Sequence, residues 1–216
     1  MKQPEVVVID YGVGNLLSVQ RGLECSGAKV ILSADREQIL NATHVVLPGV
    51  GAFGKAMQAL QQLELIATIR NVAENKVPLL GICLGMQLLL DASEEFGLTN
   101  GLGLIPGKVV AVPCISAADG ARHKIPHIGW NELRPVDSVG SWKQTILQDT
   151  KNGDAAYFVH SFMAEPSDPA HRLSDCLYGQ QKIAAVIRRD NIYGCQFHPE
   201  KSGVVGLRML HQFIQL

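Results

Sequence analysis

The chain is poor in charge, in aromatic residues and in long apolar runs. Only 18% of its 216 residues are charged and 6% aromatic, and the formal net charge is −1. No basic block or acidic tail disturbs that balance, so there is no electrostatic footprint for nucleic acid and no disordered charged tail. The longest apolar stretch, Val77 to Leu90, is too short to span a bilayer and contains Gln87, which excludes a membrane-spanning reading. Paired cysteine spacing is also missing. Cys25, Cys83, Cys114, Cys176 and Cys195 are scattered, odd in number and without a CxxC. The N-terminus reads as a first strand rather than a secretory leader. Together these features point to reduced thiols and a cytoplasmic location. The seven histidines form no HExxH, and no metal or other cofactor is expected.

What is present is apolar residues at 47% and 21 glycines, enough for a sizeable core in one domain spanning residues 1–216. In the first half, continuous apolar strands alternate with amphipathic segments. Val6–Ile9 runs into the loop "DYGVGN", and Leu16, Val19 and Leu23 share one face of a helix from about Asn15 to Gly27. Lys29–Leu32 reads as a strand, with Ser33 as N-cap of a short helix over "ADREQIL". "HVVL" enters a second glycine-rich loop, followed by helix in two pieces to about Asn75. "VPLLGI" is then a strand and "LGMQLLLDA" a helix. The second half is richer in strands: "GKVVAVP", "AYFVHSFM", "KIAAVIRR" and "IYGCQFH", with a hairpin turn at Asp190-Asn191 and a last helix over about Ser202–Leu216. The expected fold is α/β: an open, mostly parallel sheet with helices on both faces and an antiparallel extension. The stretch Cys114–Lys124 reads as irregular loop.

One junction stands out. In "GICLG" the thiol of Cys83 sits where a strand meets a helix N-terminus, with Gly81 and Gly85 two positions away on either side. This is the spacing of the hydrolase elbow G-x-S-x-G with sulfur in place of oxygen. The unpaired amides and positive end of a helix favour a thiolate, the nucleophilic form. The other four cysteines lack this setting and read as ordinary small apolar residues. Gln87 lies one helical turn beyond Cys83 on the same face.

A nucleophilic thiol requires a base. In "YGCQFHPEKSG" a strand ends at His198, Pro199 stops it, and Glu200 follows, so the chain itself sets the two side-chain directions. A carboxylate beside an imidazole fixes its tautomer and supports its protonated form. Cys83, His198 and Glu200 thus make a possible nucleophile, base and orienter. The glycine-rich loop "LPGVGAFG" offers amides for a developing oxyanion, with Gly49, Val50, Gly51 and the helix-start residue Leu84 as candidates.

Taken in this order, "PGVG", "GICLGMQ" and "FHPE" resemble the motifs of the class I, triad-type glutamine amidotransferases. Within that class the chain is similar to the glutaminase subunits of imidazole glycerol phosphate synthases. That likeness runs over nearly the whole length and includes "DYGVGNLLSV", "IPHIGWN", "YFVHSF" and "QFHPEKSG". Ile128 stands where that family usually has methionine, and Phe162 where tyrosine is usual. The resemblance implies a flavodoxin-like fold and hydrolysis of glutamine through a γ-glutamyl thioester on Cys83. It also implies delivery of ammonia to a partner (β/α)₈-barrel cyclase subunit of histidine biosynthesis, in a heterodimer. It carries Gln87, Ser161 and Phe162 over as glutamine-contacting residues, and Asn15, Trp130 and Lys201 as residues facing the barrel. Three other readings remain open. One is an amidotransferase serving another acceptor, above all a sugar-amination pathway; "PHIGWN" argues against pyridoxal phosphate synthesis. Another is a peptidase-like or deglycase-like relative. The third is an inactive interaction module, against which the complete set of triad residues speaks.

Overall fold

A computed structural model of the chain describes residues 3–115, 120, 122–136 and 141–216. The first half alternates strand and helix as its periodicity predicts: β1 (Glu5–Ile9), α1 (Leu16–Cys25), β2 (Lys29–Ser33), α2 (Arg36–Leu40), β3 (His44–Leu47), α3 (Phe53–Gln62), α4 (Leu65–Glu74), β4 (Leu79–Ile82) and α5 (Leu84–Leu88). The second half is mostly strand: β5 (Ala92–Ser93), β6 (Thr99–Asn100), β7 (Gly107–Ala111), β8 (His127–Glu132), β9 (Arg134–Pro135), β10 (Ala155–His160), β11 (Phe162–Pro166), β12 (Arg172–Tyr178), β13 (Gln181–Arg189) and β14 (Ile192–Cys195), closed by α6 (Gly203–Phe213).

An eight-stranded sheet runs in the order β2-β1-β3-β4-β14-β13-β12-β9. Its first five members are parallel, in the flavodoxin-like order, and the last three continue it antiparallel. The physical cause lies in the strands. Val6 and Val8 face one layer with α1 and α6, while Val7 and Ile9 face the other with α2, α3, α4 and α5. Both strand faces are covered, so continuous apolar runs replace alternation. Each Val, Leu or Phe buried this way contributes roughly 1.5–3 kcal/mol.

Several expectations need correction. Ser33 is not the helix cap: Asp35 is, its carboxylate accepting from the Gln38 amide at 2.8 Å, while the Ser33 hydroxyl accepts from the Asp35 amide at 2.9 Å. The helix after β4 is shorter than its apolar run. The Leu89 and Leu90 amides bond three residues back, to Met86 and Gln87, and the chain turns away. "AYFVHSFM" is two strands, not one. It breaks at Ser161, β10 pairing with β8 in a separate two-stranded ribbon and β11 with β7 in a four-stranded sheet. Strand β14 ends at Cys195, and His198 lies beyond it, its amide donating to the Tyr157 carbonyl at 2.9 Å. Of the loop expected over 114–124, residues 116–119 and 121 lie outside the described residues; so do the first two residues of the chain. Among the described residues no helix is long and apolar enough to cross a membrane.

Candidate active site

The carboxyl ends of the adjacent strands β3, β4 and β14 open into a cavity of about 310 Å³. Cys83 leaves β4 at φ 53, ψ −110, a left-handed backbone that a residue with a side chain adopts only under constraint. The constraint is visible on both sides. A Cβ at Gly81 would lie 2.6 Å from the Gly85 carbonyl oxygen, and one at Gly85 would lie 1.8 Å from the Leu47 carbonyl oxygen. Both obstacles are backbone, so only glycine lets the turn close and α5 press against β3. The two glycines therefore serve the geometry of the residue between them. The Cys83 amide donates to the Cys195 carbonyl at 2.8 Å, which ties the elbow to β14.

His198 reaches the same cavity from the far side of the elbow. Its Nδ1 is 2.8 Å from Glu200 Oε1, and the two side chains are 4% and 1% exposed. Burial alone would lower the His198 pKa; hydrogen bonding to Cys83 and Glu200, and their negative charge, outweigh it and raise the value to about 9. The backbone of His198 is held from below: the Ser202 hydroxyl donates to its carbonyl at 2.7 Å and accepts from the Tyr157 amide at 2.9 Å. Glu200 Oε2 is buried without a hydrogen-bond partner among the described residues, which leaves His198 as its neighbour of opposite charge.

The loop after β3 forms the third wall. Gly49 packs where a Cβ would meet the Tyr11 hydroxyl at 2.8 Å and the Gly85 amide nitrogen at 3.0 Å. Tyr11 donates to the Pro48 carbonyl at 2.6 Å, and burial, then the charge of Cys83, keeps its phenol protonated. Gly51 sits at φ +94 with open space around it, and Val50 and Gly51 both line the cavity. Leu84, also in the lining, is the first residue of α5, where helix amides lack intrahelical acceptors.

Gln87, Ser161 and Phe162 all line the cavity as well. The Gln87 amide nitrogen donates to the Phe162 carbonyl at 2.9 Å and to Gln196 Oε1 at 3.0 Å, so both of its protons are engaged. Gln87 is left with its carbonyl oxygen to offer a ligand. Gln196, in turn, donates to the Cys83 sulfur at 3.7 Å. Three participants had not been singled out in the sequence. Gln196 carried a signal, since it lies two residues before His198 in "QFHPEKSG". Tyr11 lies within the "DYGVGN" loop, and Glu95 carried no signal. Glu95 lines the cavity from the loop after β5, with Oε2 accepting from the Phe53 amide at 2.5 Å. His160 also lines the cavity, but His127 occupies its Nε2 at 2.8 Å, and burial, then His127, lowers its pKa to about 3. It is therefore poorly suited to replace His198 as a base. Among the described residues no group of three or more His, Cys, Asp or Glu could hold a metal ion.

Asn15, Trp130 and Lys201 lie outside the cavity. Asn15 precedes α1 without making a side-chain cap, and Lys201 is exposed beside Glu200. Trp130 is 58% exposed, whereas Trp142 is buried with its indole N–H bonded to the Leu173 carbonyl at 2.9 Å. In the β8–β10 ribbon, Trp130 pairs with Tyr157 and Ile128 with Val159, and together they form an apolar face that Val159 continues into the cavity lining.

A thiol, an imidazole paired to a carboxylate, and backbone amides around one cavity are the groups that acyl transfer uses. Comparison with known proteins agrees. The model of the glutamine amidotransferase class-I family matches residues 7–216. Imidazole glycerol phosphate synthase subunit HisH 1 of Legionella pneumophila (strain Lens) is 53% identical over 98% of this chain and 99% of its own length. The HisH subunit of Bacillus cereus is 42% identical over 96% and 93%. Two solved structures share the fold at a TM-score of 0.71. One is described as a glutamine amidotransferase, at 14% identity over 97% of this chain and 99% of the other. The second is PurLQS from Thermotoga maritima, at 18% identity over 99% and 98%. The chain belongs to the class-I glutamine amidotransferases, in the family of the HisH subunits of imidazole glycerol phosphate synthase.

Proposed function

We propose that the chain is a single-domain, cytoplasmic glutaminase that releases ammonia from glutamine and passes it to a (β/α)₈-barrel cyclase partner making imidazole glycerol phosphate. The observation that carries this reading is the strained elbow of Cys83, facing the buried His198–Glu200 pair across one cavity. In the proposed reaction the Cys83 thiol has given its proton to His198, whose raised pKa holds it there, and the Cys83 sulfur bonds to the amide carbon of glutamine. The carbon–nitrogen bond then breaks, His198 returns a proton to the leaving ammonia, and water hydrolyses the thioester to glutamate. Glu200 orients the imidazole. Amides of Gly51 and Leu84, in the loop that includes Gly49 and Val50 and at the start of α5, are the candidate oxyanion donors. Gln87, through its free carbonyl oxygen, and Glu95, through its carboxylate, suit the ammonium end of the substrate. Ser161 and Phe162 form the edge of the pocket.

The apolar face of Ile128, Trp130, Tyr157 and Val159 supports a partner docked over the cavity mouth. Asn15 and Lys201 are proposed to contact it. The deciding experiment mixes the chain with a candidate cyclase and its ribonucleotide substrate and assays product from glutamine and from ammonia. Cys83→Ala is expected to abolish the glutamine-driven reaction and spare the ammonia-driven one. Loss of both would contradict the assigned role of Cys83. Absence of product in the wild-type mixture, with glutamine still hydrolysed, would favour another acceptor such as an amino-sugar precursor. Trp130→Ala and Lys201→Ala are expected to weaken the complex while Cys83 stays reactive toward an electrophilic glutamine analogue.

A further inference from the structure

The pocket edge at Phe162 is held by a chain of buried imidazoles that begins in the exposed ribbon. Asn131 Nδ2 is 2.6 Å from His127 Nε2, His127 Nδ1 is 2.8 Å from His160 Nε2, and His160 Nδ1 is 2.9 Å from the Phe162 carbonyl oxygen. The two ends settle the protons between them. An amide nitrogen donates, so His127 Nε2 accepts; a carbonyl accepts, so His160 Nδ1 donates. The middle bond then runs from His127 Nδ1–H to His160 Nε2, and each ring carries one proton. Neutral rings fit their surroundings. His127 is 1% exposed, stacked between Phe158 and Tyr178 at centroid distances of 5.1 and 4.1 Å, and His160 is 6% exposed. Burial lowers the pKa of His127 to about 4, in the same direction as that of His160.

The Phe162 carbonyl at the inner end also accepts from Gln87, which donates to Gln196, which donates to the Cys83 sulfur. Asn131 at the outer end follows the exposed Trp130 in β8. We infer that Asn131, His127 and His160 are positioning residues for the substrate pocket: they fix the Phe162 carbonyl and thereby aim Gln87, tying strand β8 to the thiol. The inference rests on the glutaminase reading for its kinetic consequence but not for its chemical one.

Two substitutions separate a relay from mere packing. His127→Phe keeps the stacked ring and removes both nitrogens; His127→Asn keeps a donor at the Nδ1 position and loses the ring. With the chain in complex with its cyclase, a relay predicts that His127→Phe raises KM for glutamine about tenfold with kcat within about twofold, the effect of one unpaired buried polar group. His127→Asn should recover most of that loss, with a lower melting temperature. Packing alone predicts the reverse order, with His127→Phe like wild type and His127→Asn worse, and that outcome would overturn the inference. Imidazole ¹⁵N spectra of the wild-type chain test the proton arrangement without any turnover. Both rings are expected as Nδ1–H tautomers, although free histidine favours Nε2–H, and a proton on Nε2 of either ring would overturn the relay. If the tautomers are as expected but wild type hydrolyses no glutamine, the glutaminase reading fails and the relay stands.

Discussion

Two buried imidazole groups sit at one cavity and are tuned in opposite directions. His198 is 3% exposed and His160 6%, and burial lowers the pKa of both. What differs is the neighbour. His198 faces Cys83 and a carboxylate, and ends at about 9; His160 faces the neutral ring of His127, and ends at about 3. Burial makes an imidazole sensitive to its partners, and the partner's charge decides whether the ring carries a proton. The same residue type thus holds a proton more tightly than a free imidazole on one side of the pocket and stays a neutral hydrogen-bonding ring on the other.

The largest expected effect breaks the comparison at its active member. His198→Asn should lower glutamine turnover by about 10² to 10⁴, the range for a lost general base and acid. His160→Asn retains a donor for the Phe162 carbonyl and should cost far less. Steady-state kinetics of the two variants in the complex check this, and equal losses would erase the distinction. Next in size is Glu200→Gln, which removes a charge and leaves burial less opposed. The His198 imidazole should then titrate well below 9, with kcat/KM falling about 10- to 100-fold. An NMR titration that still gives about 9 would assign the shift to Cys83 alone.

The third test sharpens the comparison through stability. The folded-state value of His198 lies above its ordinary 6.5, so its contribution is complete below pH 6.5 and is lost as pH rises through about 9. His127 and His160 have lowered values, so their contribution is present above pH 6.5 and is lost as pH falls towards 4 and 3. Buried Tyr11, Cys176 and Cys195 also resist ionisation, so alkaline loss is not His198 alone. Urea unfolding of wild type and His198→Asn from pH 6 to 9.5 should isolate a difference of order 2–3 kcal/mol that shrinks with rising pH. A smaller change is expected from His127→Phe: a shallower loss of stability between pH 6.5 and 4.5.

Much of this molecule was legible in its local sequence. The strand and helix alternation of the first half followed from apolar periodicity, because strands covered on both faces and helices covered on one leave different signatures. The elbow was legible because a left-handed turn between a strand and a helix demands small residues at fixed positions; Gly81 and Gly85 meet backbone atoms, for which no other residue fits. The proximity of His198 to Glu200 was legible because Pro199 joins them. The split of "AYFVHSFM" was not, because β10 and β11 differ only in which distant strand each pairs with. Glu95 gave no local sign of entering the site, and Tyr11 none of bracing the Pro48 loop, since loop closure and layer packing bring them there. The family resemblance put Trp130 at the partner face, but its own residues did not: alternation puts it opposite His127 only once β8 is known to pair with β10. The sequence by itself determined the strand and helix alternation of the first half, the elbow and the pairing of His198 with Glu200, because periodicity, glycine sterics and chain-neighbour geometry are local. The tertiary structure decided which histidine carries charge, which tryptophan is exposed and which carboxylate lines the pocket, because burial and the charge of a neighbour are properties of residues far apart in the chain.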